Sequence, residues 1–138
     1  MNDVQAVTLI NFSHPITDDQ QADIAAALGV PELTVIDVPT HFDTEAAYGP
    51  QAEALIAAVG LLPTEWEARA DSIILNLPAF NVIAALVLAR LHGLMGHFPA
   101  IVRIRPVEGS IPPRFAFAEL IDLTDHRVRA ASQKSVVR

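Results

Sequence analysis

Hydrophobic spacing along the chain switches repeatedly between two periods. Short runs of consecutive apolar, often β-branched residues give way to stretches where apolar positions recur every three or four residues. Residues 6–12, AVTLINF, predict a buried strand. TDDQQADIAAALG (17–29) predicts a helix, with Thr17 as N-cap, Gln20 three residues on, acids in the first turn and Gly29 as the stop. ELTVIDVP (32–39) is a second strand ended by Pro39. YGPQAEALIAAVG (48–60) is a second helix, with Pro50 near its start and Gly60 after its end. LPTEWEARA reads as a short helix or turn, SIILNLP as a third strand, and AFNVIAALVLARLHG as a third long helix closed by Gly93. AIVRIRP holds a fourth strand from Ala100 to Arg105. The loop VEGSIPPR then leads to a fifth strand, FAFAELIDL.

Strands alternating with helices imply right-handed crossovers and a mainly parallel sheet with helices on both faces. The expected fold class is therefore α/β and Rossmann-like in the broad sense, in a single domain. The loop before the last strand is too short for a long helix, so that strand is expected to pair antiparallel at an edge. Residues 1–123 form the expected domain. Residues 124–138 are a polar, basic tail, read as helix or disorder.

Composition narrows this picture. Of 138 residues, 51% are hydrophobic and 18% charged, which favours a packed core and an apolar surface hidden in an oligomer. The longest apolar run, Val82 to Leu94, is broken by Arg90 and His92, so no bilayer span is expected. MNDVQ places no basic region ahead of an apolar one, so no secretory signal is expected and a cytoplasmic location is the default. The absence of cysteine excludes disulfides and thiol chemistry. Net charge is −7, split unevenly: residues 1–89 carry twelve acids and one base, Arg69, while residues 90–138 carry eight bases and four acids. Such a chain is a poor candidate for binding duplex nucleic acid, but a small anionic ligand needs only a few donors.

In sheets of this kind, ligands bind beyond the carboxyl ends of the strands. The first strand ends in Asn11, Phe12, Ser13 and His14. The second offers Thr40, His41 and Asp43; the third ends in Asn76, Leu77, Pro78 and Ala79, with Asn81 just beyond; the fourth ends in Arg103 and Arg105. Amide, hydroxyl, imidazole and guanidinium groups on one edge suit a nucleotide-like ligand. Each has a plainer reading too. Asn, Ser and Thr before helices act as caps, and the two arginines share a strand face from which they can pair with Glu108, Glu119 or Asp122. His92 and His97 are not spaced as a metal pair, and no metal is expected. The first strand-to-helix turn lacks glycine, which disfavours dinucleotide and P-loop binding. Ser13 and His14 are adjacent on an extended segment and are not read as a catalytic dyad.

Taken together, LINFSHPIT, IDVPTHFD, NLPAFNVIAALVLARLHGLMGHFPAIVRIRPV and PPRFAFAELIDL resemble the fifteenth-numbered Csx family, small accessory proteins of type III CRISPR systems. The resemblance extends to about Leu123. It implies a stand-alone Rossmann-type fold related to CARF sensor domains, and a cyclic oligoadenylate ligand, cyclic tetra-adenylate first. It further implies sequestration of that messenger without catalysis, no catalytic residue and no cofactor. The alternative is a metal-independent ring nuclease, as in related small families. Carried onto this chain, the ligand-binding segments are Asn11, Phe12, Ser13 and His14; Asn76, Leu77, Pro78 and Ala79; and Arg103 with Arg105. A homodimer is expected, because a two-fold assembly offers the same groups to both halves of a symmetric ring, and ligand-bridged higher assemblies are compatible with it.

Overall fold

The computed structural model describes residues 6–134. Five strands form one sheet: β1 (Val7–Asn11), β2 (Leu33–Asp37), β3 (Ile73–Asn76), β4 (Ala100–Pro106) and β5 (Phe115–Asp122). The helices are α1 (Asp18–Leu28), α2 (Tyr48–Ala57), α3 (Pro63–Ala68), α4 (Asn81–Met95) and α5 (Leu123–Gln133). The strand order is β2-β1-β3-β4-β5, with the first four parallel and β5 antiparallel to β4 at the edge. This is the expected single-domain, mainly parallel α/β architecture.

Strand order explains the layering. From β1 the chain steps one way to β2, then returns across β1 to β3 and continues in that direction to β4. Right-handed crossovers taken in opposite directions put their helices on opposite faces. Strand alternation confirms the result. Ile10, Phe12 and Leu75 pack with Leu55, Trp66, Ile83, Val87 and Leu91 of α2, α3 and α4, whereas Leu9, Ile74 and Val102 pack with Ile24 of α1. Of the four helices that connect the parallel strands, three therefore cover one face and α1 the other.

Local signals place most boundaries. The Thr17 side chain accepts from the Gln20 amide at 3.2 Å, and the Gln20 side chain accepts from the Thr17 amide at 3.0 Å. That capping box starts α1 where the sequence predicts it. Gly29 closes α1 at φ +70°. α4 differs from expectation: it runs through Gly93 and ends at Gly96, whose φ is +86° and whose amide donates to the His92 carbonyl at 3.0 Å. Ile83, Val87, Leu91 and Met95 are all buried at a strict four-residue spacing, so one more turn buries Met95, while Gly93 lies on the exposed side. Gly93→Ala is therefore expected to raise stability by about 0.5–1 kcal/mol, since no atom lies within 4 Å of its added Cβ. Gly96→Ala is expected to lower stability by a similar amount, because its backbone is left-handed. Opposite shifts in melting temperature check the pair.

The tail after β5 is helical through Gln133. Asp122 caps it, accepting from the Asp125 amide at 3.0 Å, and Thr124 donates to the Phe98 carbonyl at 3.2 Å. Residues 135–138 of the predicted tail, like Met1–Gln5, lie outside the described residues. No described helix is long and apolar enough to cross a membrane.

Candidate functional site

On the α1 face lies a cavity of about 1160 Å³. One wall is the β1–α1 loop and the start of α1, with Ser13, His14, Thr17, Asp19, Gln20 and Asp23. The floor holds Asn76, Leu77, Val102 and Ile104; the far wall is the β4–β5 hairpin, with Val107, Arg114 and Phe115. Drug-sized ligands occupy roughly 300–1,000 Å³, so this space admits something larger than a mononucleotide. It lies at the carboxyl ends of β1 and β3, where the winding reverses.

Two features fix the relative placement of the walls. Along β4 and β5, Arg103 faces Glu119 but Ile104 faces Phe117, so Ala118 is an extra residue in β5. Such a bulge increases local twist and bends the strand. Buried Gln20 then donates to the Phe115 carbonyl at 2.8 Å, tying α1 to the hairpin across the site.

The predicted strand-end residues divide. Ser13, His14, Asn76, Leu77 and Arg103 line the cavity. Asn11 is only 1% exposed and serves beneath it as a clasp. Its Oδ1 accepts from the Ser13 amide at 3.1 Å and from Asn76 Nδ2 at 3.0 Å. Its Nδ2 donates to the His14 carbonyl and to Asp37 Oδ1, both at 2.9 Å. Because Asn11 pairs in register with Asp37 and with Asn76, the three side chains form one polar row across the ends of β2, β1 and β3. Phe12 is fully buried in the core under α2 and α4, and Pro78 is buried as well; exposed Ala79 stands outside the cavity. Thr40, His41, Asp43 and Asn81 are also outside it.

The arginines separate from the asparagines. Val102 lies on the α1 face and Ile101 packs against the opposite core, so alternation directs Arg103 and Arg105 away from the Asn11–Asn76 row. Arg103 reaches the cavity margin but is paired with Glu119 at 2.7 Å, one of the partners its strand face allows. Arg105 does not line the cavity.

Arg114 was not among the sequence candidates. Its guanidinium has no ion-pair or hydrogen-bond partner among the described residues, and it lines the cavity from the hairpin. The signal for it was the antiparallel last strand: Phe115 pairs with Pro106, which returns the start of β5 to the edge where the parallel strands end. Asp19 and Asp23 on the α1 wall were missed as well, since the sequence marked acids only as favourable in the first turn of the helix. The cavity is thus polarised, with carboxylates on α1 and cations on the hairpin. Among the described residues, no group of three His, Cys, Asp or Glu is arranged to hold a metal.

No protein-family model, curated protein or solved structure shows a significant match to this chain.

Proposed function

We propose that this protein binds and sequesters a cyclic oligoadenylate, cyclic tetra-adenylate first, without cleaving it. The observation that carries the reading is the polarised cavity at the winding reversal. A cationic hairpin wall suits phosphates, whereas the Asp19 and Asp23 carboxylates on the α1 wall, with Asn76 on the floor, suit the amino groups of adenines. The resemblance of the strand-end motifs to type III CRISPR accessory proteins supports the same ligand and a cytoplasmic setting. A two-fold homodimer, offering equivalent groups to both halves of the ring, belongs to this reading. Sequestration is favoured over cleavage because Asn11 engages all of its amide hydrogen-bonding groups in holding the loop, and Ser13 and His14 form no hydrogen bond with each other's side chains.

The test is a gel shift with radiolabelled cyclic tetra-adenylate, followed by inspection for linear products over about an hour. A shift with intact ring supports sequestration. Linear products in excess of protein replace it with ring-nuclease activity. No shift at micromolar protein overturns nucleotide binding.

A further inference from the structure

The clasp determines more than the position of the loop; it also sets which atom of Asn76 the cavity sees. At Asn11 the assignment of amide oxygen and nitrogen is forced by the backbone. The Ser13 N–H can only donate and the His14 C=O can only accept, so Oδ1 must face Ser13 and Nδ2 must face His14. Asp37 accepts from the same Nδ2 and reinforces that choice. Asn11 therefore presents an oxygen to β3, and Asn76 must answer it with Nδ2, at 3.0 Å. Its own Oδ1 is left without a protein partner among the described residues. Half-buried Asn76 lines the cavity, and that oxygen is not among the buried unpaired atoms, so it remains open to solvent.

We propose that Asn76 Oδ1 is a specificity-determining acceptor, oriented by Asn11, that reads a hydrogen-bond donor on the ligand. This rests on the proposed binding of a cyclic oligoadenylate, whose donors are the exocyclic amino groups of adenine and the ribose hydroxyls. A site built to accept a donor discriminates well, because a ligand lacking that donor leaves the acceptor desolvated and unpaired. Neither half of the device works alone. Asn76 with its amide reversed would set oxygen against oxygen at Asn11, so the polarity seen by the ligand is fixed from the adjacent strand.

Calorimetric titration with three probes tests this: cyclic tetra-adenylate, the same ring built from unsubstituted purine riboside, and 2′-O-methylated cyclic tetra-adenylate. Wild-type protein is expected to bind one of the two altered rings about fivefold to tenfold more weakly than cyclic tetra-adenylate, and which ring loses affinity identifies the donor as base or ribose. Asn76→Ala should lose a similar factor on cyclic tetra-adenylate and bind that altered ring no more weakly than wild type does. Asn76→Ser, whose hydroxyl can still approach Asn11, provides a gentler variant should the alanine protein fail to fold, and is expected to show the same coupling. Equal losses on all three rings overturn the inference while leaving the proposed function intact. Failure of wild-type protein to bind any of the rings overturns both.

Discussion

Asn11→Asp is expected to destabilise the protein by about 3–5 kcal/mol near neutral pH, with much of the loss recovered on acidification. The substitution changes one NH2 group to oxygen at a site 1% exposed. One carboxylate oxygen can still accept from Ser13 and Asn76. The other would face the His14 carbonyl and the Asp37 carboxylate, which accepted from Nδ2 at 2.9 Å each in the parent protein. Two favourable contacts become repulsive and a buried charge is added. Burial and the neighbouring carboxylate both raise the folded-state pKa of the new group above its unfolded value of about 3.9. The folded state then holds the proton across the interval between the two values. The penalty is complete above the folded pKa and shrinks as pH falls through it, because the protonated carboxyl donates where Nδ2 did. Urea denaturation near pH 7 and near pH 5 checks this, with Asn11→Ala as a control whose deficit should not vary with pH. A constant Asn11→Asp deficit would show that the amide is not oriented as described.

The second large effect is on ligand binding. Arg114→Glu is expected to weaken cyclic tetra-adenylate binding by about 2–3 kcal/mol, some 30- to 150-fold, with little change in melting temperature. Arg114 is exposed and makes no ion pair among the described residues, so the fold loses little by its removal. A phosphate on the hairpin wall would lose its free cation and meet a like charge. Arg103→Ala is expected to do less, because its guanidinium is already committed to Glu119 and a phosphate must compete for it. Wild-type affinity in Arg114→Glu would remove the hairpin from the site.

How far these outcomes could be read from sequence depended on the distance over which each interaction acts. The order of strands and helices, the capping box of Thr17 and Gln20, and the antiparallel edge strand were all legible. Each rests on residues close in sequence or on rules of chain connection. That polar groups gather at the strand ends was legible for the same reason. Which of them share a face was not. Asn11 and Asn76 are 65 residues apart and meet only because β1 and β3 pair in a particular register. Arg103 and Arg105 occupy the next strand, yet alternation directs them away from the Asn11–Asn76 row, and of the two only Arg103 reaches the cavity margin. Gly93 had the local look of a helix stop, but burial of Met95 carried α4 one turn further.

By itself, then, the sequence determined the architecture and the edge on which a ligand could sit, because periodicity, caps and crossover handedness are properties of short segments. Only the tertiary structure decided the cavity. The placement of α1 opposite the other crossover helices, a bulge that bends β5, and a hairpin that brings Arg114 back to the strand ends are consequences of packing and register. The polarity of Asn76 was decided there too, since backbone groups of the β1–α1 loop orient the amide at the end of one strand, which in turn orients its neighbour on the next.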